Sequence, residues 1–252
     1  MKTTIITLVI CLLAILNLQA QSQTTIPDKP EVILVQGGTF AMGSTVEEDE
    51  TPHTVTLSNY SIGKYPVTVG QYKTFCTATG TTMPEAPSWG WQDKHPMVNV
   101  TYNDAVSYCN WLGETYGGDW RLPTEAQWEF AARGGTKSNK YTYSGSDDLD
   151  EVAWYADNAG GKTQSVGRKK ANELSLYDMS GNVWEWCKDW YDKDYYASSP
   201  STNPKGATSG ANRVLRGGSW YYSATRCRVA YRGTDGPSYR SSFNGFRVAL
   251  SQ

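Results

Sequence analysis

Leu176-Tyr-Asp-Met-Ser-Gly-Asn-Val-Trp-Glu-Trp-Cys-Lys-Asp-Trp190 sets three tryptophans, Trp184, Trp186 and Trp190, within seven residues. Alternation along a strand puts Trp184 and Trp186 on one face and Glu185 on the other. Ahead of them, Asp178-Met-Ser-Gly181-Asn182 has turn composition, because Gly181 accommodates a positive φ and Asp178 bonds nearby backbone. The stretch therefore reads as a turn feeding a strand that buries two indoles and presents a carboxylate. Two readings of that carboxylate stand side by side. Asp178, Glu185 and the carbonyls of the turn are oxygen ligands suited to a hard cation such as Ca²⁺. Alternatively Glu185 pairs locally and the tryptophans only pack, since two carboxylates fall short of the roughly six to eight oxygens that calcium takes.

Gly181-Asn-Val-Trp-Glu-Trp186 resembles the hallmark of the formylglycine-generating enzyme, or sulfatase-modifying factor, family. Gln36-Gly-Gly-Thr-Phe-Ala-Met-Gly-Ser44, Tyr65-Pro-Val-Thr-Val-Gly-Gln-Tyr72, Arg121-Leu-Pro-Thr-Glu-Ala-Gln-Trp-Glu-Phe-Ala-Ala-Arg133, Arg216-Gly-Gly-Ser-Trp220 and Gly245-Phe-Arg-Val-Ala249 fit the same pattern in the family's order. The resemblance implies an α+β fold with little regular secondary structure, a single C-type-lectin-like domain and bound calcium. In that family the turn before the tryptophans forms a calcium site. By position its ligands here are the side chains of Asp178 and Glu185 and the carbonyls of Gly181 and Val183.

Residues 1–20 read as a targeting segment. Lys2 is basic, Ile5–Leu16 is almost wholly apolar, and Leu18-Gln-Ala20 offers a small residue for cleavage. The apolar run is too short to span a bilayer comfortably, so the expectation is export to the periplasm, cell surface or medium, with no membrane span after cleavage. Cys11 lies inside the run, poorly placed for lipid attachment. Residues 21–30 read as a flexible leader and 31–252 as one domain, long enough for a substantial core. A net charge of −2 with no basic run excludes a nucleic-acid surface. Ten Trp, seventeen Tyr and 24 Gly point to a loop-rich fold with an aromatic core. Beyond the leader, Cys76, Cys109, Cys187 and Cys227 permit two disulfides in an oxidising compartment, with the pairing open. With only His53 and His95, a His-rich metal site is excluded.

Along the chain, Glu31–Phe40 suggests a strand and turn, and Thr54–Leu57 a second strand. Val67–Thr79 has helical spacing with Thr68 as N-cap and Gly80 as stop, and Thr101–Tyr116 is a second amphipathic helix. Thr124 caps a third, with Gln127 completing a capping box. Glu125, Glu129 and Arg133 recur at four-residue spacing, as in an ion-pair ladder on a helix surface. Ser88–Pro96 is an aromatic loop carrying Trp89 and Trp91, read as packing. Thr136–Lys170 is loop-like, and Asn158 there is a candidate for a second calcium site of the family type. Val214–Leu215, Cys227–Arg232 and Phe246–Leu250 are expected to form the lectin-like sheet. Arg213, Arg216, Arg228, Arg232 and Arg247 are expected to pair with carbonyls and carboxylates around the loops between these strands.

The family's enzymes oxidise a cysteine of a sulfatase peptide to formylglycine with two cysteines and a copper ion, since paired thiolates suit Cu(I). Those cysteines lie between Arg-Gly-Gly-Ser and a following Arg-rich strand. Here the interval runs Trp220-Tyr-Tyr-Ser-Ala-Thr-Arg-Cys227 before Arg228. Counting forward from Ser219 puts Tyr222 at the first cysteine and Cys227 at the second; counting back from Arg228 places neither. The pair is broken either way, so the resemblance implies that the copper oxidase is lost. No catalytic residue is assigned; Cys227 is the sole candidate under the oxidase alternative, and a disulfide is its expected state.

The tail also resembles the variable region of diversity-generating retroelement targets, some of which use this fold. Tyr221, Tyr222, Ser223, Thr225, Arg226, Gly233, Thr234, Asp235, Gly236, Tyr239, Ser241, Ser242 and Phe243 punctuate a fixed frame, and all are reachable by adenine-directed mutagenesis of AAY codons. Ordinary turns are also rich in Ser, Gly and Asp. Tyr mixed with Ser, Gly and Arg is nonetheless the composition of adaptable binding surfaces. The expectation is a loop surface for a protein or cell-surface ligand, anchored by Tyr221, Tyr222, Tyr239 and Phe243. A cell-surface assembly role fits the export segment but has no motif of its own.

Overall fold

Three helices start on the same device. Helices α1 (Val69–Thr79), α2 (Tyr102–Tyr116) and α3 (Glu125–Ala132) are each preceded by a threonine, Thr68, Thr101 or Thr124. Each threonine hydroxyl accepts the N–H of the third helical residue, and that residue's side chain accepts the threonine N–H in return. The box satisfies N–H groups that the helix itself leaves without partners, at a worth of about 1 kcal/mol per cap. Helix α1 ends on Gly80 at φ 72°, the left-handed conformation that glycine takes without a Cβ clash.

The computed structural model describes residues 29–251; the targeting segment and nearly all of the leader lie outside the described residues. Strands β1 (Val32–Val35), β4 (Tyr60–Gly63), β10 (Ala249–Ser251) and β5 (Trp120–Arg121) make an antiparallel sheet in that order. Strands β2 (Gly38–Met42) and β3 (His53–Leu57) form a separate two-stranded ribbon. The third sheet runs β8 (Arg232–Asp235), β7 (Arg213–Arg216), β6 (Trp184–Trp190) and β9 (Asn244–Gly245), with β6 and β9 parallel. Two expectations shift here. Cys227–Arg232 is not a strand: Ala224–Cys227 is a turn of 3₁₀ helix, and extended pairing starts only at Arg232. Phe246–Leu250 does not join that sheet: β9, just before it, pairs with β6, residues 246–248 are in no strand, and β10 crosses to pair with β4 and β5.

Strand β6 lies inside its sheet and is buried on both faces through Cys187, so the carboxylate of Glu185 is buried along with the flanking tryptophans. Trp184 and Trp186 pack with Tyr72, Phe75, Tyr108 and Phe246 from α1, α2 and the tail, whereas Cys187 packs with Met42, Trp128 and Val214. Cys227 sits in a third cluster with Leu149, Val152 and Tyr155. All four cysteines of the described residues are buried and free, so the expected disulfides do not form. Burial in apolar surroundings pushes the Cys187 and Cys109 thiols up, which keeps them protonated and inert.

The expected surface ladder on α3 is instead interior. Glu125 and Glu129 are buried, and apart from Arg133, which pairs with Glu129 as the spacing suggested, their partners come from the far end of the chain. Glu125 accepts from Arg232 at 2.8 and 3.1 Å, and Glu129 is paired with Arg216 and, at 2.7 Å, with Arg133. Glu50 is likewise held by Arg228 at 2.9 Å. The arginines behave as the sequence suggested, since Arg216 also donates to the carbonyls of Val229, Ala230 and Tyr231. A charge buried this deeply persists only when paired and hydrogen-bonded throughout.

Candidate functional site

The hallmark turn is held by three left-handed residues, Asp178 at φ 55°, Gly181 at 76° and Asn182 at 60°. Gly181 is obligatory, because a Cβ there would collide with the carbonyl of Trp154. The Asp178 carboxylate accepts the Gly167 N–H at 2.8 Å and the Asn182 amide at 3.2 Å. Burial pushes its carboxyl up to about 6. Glu185 is fully buried: Oε2 accepts Trp128 Nε1 at 2.6 Å and Arg247 Nε at 2.6 Å, while Oε1 accepts Arg247 Nη2 at 2.7 Å. Arg247 donates further to the carbonyls of Gly63 and Tyr177.

These contacts test the calcium set Asp178, Gly181, Val183 and Glu185. Both oxygens of each carboxylate already accept N–H donors, and the cation facing Glu185 is a guanidinium. Calcium takes roughly six to eight oxygens, so the residues as placed do not fit the ion that the resemblance implied. Asn158 is also engaged locally: its oxygen accepts the Tyr155 N–H, and its amide donates to Asp150 and to the Ala153 carbonyl.

The copper position fares no better. Cys227 is fully buried, its Sγ 3.9 Å from the Ser223 carbonyl, and burial pushes the thiol up to about 12. Tyr222, not a second thiol, stands at the other counted position, with its ring against Trp184 at 5.8 Å and Phe243 at 5.4 Å. A buried, protonated thiol without a partner does not supply the paired thiolates that hold Cu(I).

The tail loops do converge. Tyr221 is 59% exposed and Tyr239 47% exposed, two of the largest exposed apolar side chains among the described residues. Tyr221 stacks on Phe243 with centroids 5.8 Å apart and meets Tyr222 edge-on at 5.4 Å. The Arg226 guanidinium lies 4.8 Å above the Tyr222 ring. Burial pushes the Tyr222 phenol up, with Arg226 opposing and Asp235 and Tyr239 reinforcing, so all four groups share one neighbourhood. Ser223 and Thr225 are exposed beside it and bond each other at 3.0 Å.

Not every expected surface residue belongs. Ser241 is buried, where its hydroxyl accepts the Phe243 N–H and its carbonyl the Asn99 N–H; it shapes the loop corner. Thr234 and Asp235 are half-buried on β8, with Asp235 accepting from Asn244 at 3.0 Å. Ser242 is half-buried and gives its carbonyl to Trp220 Nε1 at 2.9 Å. Two residues extend the patch beyond the expectation. Trp220 meets Tyr221 edge-on at 5.5 Å, and Trp89 meets Trp220 at 5.2 Å. Trp89 was visible in the sequence only as one member of an aromatic loop 130 or so positions from its partner, at roughly the separation where local patterning carries no information.

A profile described as the sulfatase-modifying factor enzyme 1-like domain matches residues 18–252. The chain belongs to the sulfatase-modifying factor family. This family member is 33% identical to the formylglycine-generating enzyme of Streptomyces coelicolor over 86% of this chain and 88% of that protein. It is 34% identical to the chaperone protein LppX of Paenibacillus barcinonensis, over 91% of each. Among solved structures, Treponema denticola variable protein 1 superposes with a TM-score of 0.78 at 32% identity, covering 88% of this chain and 95% of that one. The sulfatase-modifying factor domain thus has the C-type-lectin-like fold that the hallmark motifs implied. Among its described residues, no helix is long and apolar enough to cross a membrane.

Proposed function

We propose that this sulfatase-modifying factor family member is an exported, non-oxidising binding protein whose loops 221–243 engage a protein or cell-surface partner. The observation that carries the reading is exposed Tyr221, Tyr239 and Arg226 set over half-buried Tyr222 and Phe243, beside a lone, buried Cys227. Tyrosine gives contact area at little entropic cost, and the neighbouring small polar residues give hydrogen bonds without bulk. The frame between the loops is rigid: Arg216, Arg228 and Arg232 each tie the tail to a buried glutamate. The exposed side chains between those ties, such as Tyr221, Ser223 and Thr225, can change without disturbing the core, whereas Cys227 and Val229 belong to it. At the hallmark turn Arg247 supplies the positive charge that faces Glu185.

Binding of purified protein to intact cells tests for a cell-surface partner. Tyr221→Ala combined with Tyr239→Ala is expected to weaken binding by about 30-fold or more, as for paired hot-spot residues, with an unchanged melt. Turnover of a sulfatase-type cysteine peptide by the copper-loaded protein would overturn the reading. Sequencing the gene's 3′ end in descendants of one cell tests diversification, which requires codon changes confined to the thirteen tail positions.

A further inference from the structure

Away from the tail loops, a cleft of 370 Å³ opens beside Ser58, Asn59 and Ser251, and a second lobe of 230 Å³ continues from it past Tyr102 and Trp120. The lobes share Asp119, Arg121 and Lys188, so they form one elongated groove of a size suited to a small chain ligand. Neither lobe includes a residue of the proposed partner surface.

The groove is cationic in a chain of net charge −2. Arg121, Lys188 and Lys205 line it, against the single acid Asp119. The Arg121 guanidinium is fixed by the Leu122 carbonyl at 3.1 Å, Gln127 Oε1 at 2.8 Å and Ser251 Oγ at 3.2 Å. Asp119 accepts from Ser251 Oγ at 2.6 Å and pairs with Arg121 at 3.7 Å, so the charge left open in the groove is that of Lys188 and Lys205. Lys188 and Lys205 are exposed, and among the described residues no carboxylate pairs with either ammonium. Field lines from such a group concentrate in a concave surface and draw anions to it.

The remaining lining selects among anions. Ser58 and Asn203 are locked together, Ser58 N–H donating to Asn203 Oδ1 at 2.9 Å and Asn203 Nδ2 donating to Ser58 Oγ at 3.0 Å, so this polar wall is preformed. Hydroxyls and amides that both give and take hydrogen bonds match a ring bearing hydroxyl groups. Tyr102 and Trp120 floor the smaller lobe with the edges of largely buried rings. A peptide is disfavoured, because β5, the sheet edge at the groove, offers only the two residues Trp120–Arg121 for strand addition.

We propose that this two-lobed groove binds an acidic saccharide, with sulfate, phosphate or carboxylate groups meeting Lys188 and Lys205 and one sugar unit in each lobe. The test is calorimetric titration of the full chain with a fully sulfated heparin disaccharide. Saturable one-to-one binding is expected, weakened at least tenfold by Lys188→Ala with Lys205→Ala, and retained by Lys137→Ala with Lys193→Ala and by Tyr221→Ala. The Lys188/Lys205 variant should melt with the wild type, since both side chains are exposed. Absence of binding, or equal loss in the Lys137/Lys193 variant, would overturn the proposal. So would inorganic sulfate or hexaglutamate binding as tightly as the disaccharide.

Discussion

Replacing Glu185 with glutamine tests the account of the hallmark strand most directly. The substitution keeps the side chain's shape and one acceptor for Trp128 Nε1, and removes only the charge that faces Arg247. Both partners of that pair have no exposed surface, so the guanidinium is left buried and uncompensated. Breaking a buried pair from one side costs about 3–5 kcal/mol. In a chain of this size 1 kcal/mol moves the melting temperature by roughly 2–4 °C, which gives a fall of about 6–20 °C. Urea unfolding should show the same loss as a lower midpoint at unchanged slope. Glu185→Leu combined with Arg247→Met should recover only part of it, because both charges go but Trp128 Nε1 and the Gly63 and Tyr177 carbonyls lose their partners. The parallel measurement is the melt with and without chelator. If Arg247 supplies the positive charge, chelation moves neither protein. An ion bound only to the folded state would stabilise it, so a chelator-induced fall in the wild type that vanishes in Glu185→Gln would refute the reasoning.

Two further outcomes follow from burial. In guanidinium without reductant, Cys76, Cys109, Cys187 and Cys227 should all react with a thiol reagent, whereas the folded protein should react slowly even at pH 8; disulfides would leave thiols missing from the denatured titration. Asp189 is buried beside Glu125, and burial first and that charge second push its carboxyl up to about 7 from an ordinary 3.8, against the Glu125 N–H, Arg232 and Lys188. The folded state therefore holds this proton more tightly than the unfolded one, so Asp189 contributes stability that declines as pH rises from about 4 to about 7. Asp189→Asn should flatten that part of a plot of melting temperature against pH, and an unchanged slope would assign it elsewhere.

Local chemistry was legible where a few residues suffice to satisfy each other. Thr68, Thr101 and Thr124 announced their helices because each capping box closes within three residues. Gly80 and Gly181 announced left-handed positions for the same reason. The α3 charges were misread because four-residue spacing is common to a solvated ladder and to a stripe facing distant partners. Arg216 and Arg232 lie 87 and 107 positions from their glutamates. Glu185 presented the same ambiguity, and its partner, 62 residues on, decides it. Strand limits in the tail were displaced because Cys227 enters a small apolar cluster that a 3₁₀ turn, not an extended segment, delivers. The loop surface was legible as composition, while its membership depended on how the loops fold over Ser241 and Trp220.

The ties between buried glutamates and the tail set an order of events in biosynthesis. Glu50, Glu125, Glu129 and Glu185 are made early, and the arginines that neutralise them from residue 216 onward are made last. A nascent chain that stops short of these arginines has Arg133 for Glu129 but no guanidinium for Glu50, Glu125 and Glu185, which enter the interior only by taking up protons. Collapse is therefore postponed until synthesis is nearly finished, and the contacts that complete it are among the most distant in sequence, a topology that folds slowly. Truncation or a frameshift in the tail removes these ties, while a missense change is read out at the surface only at exposed positions such as Tyr221 and Tyr239, not at buried Cys227, Val229 or Ser241.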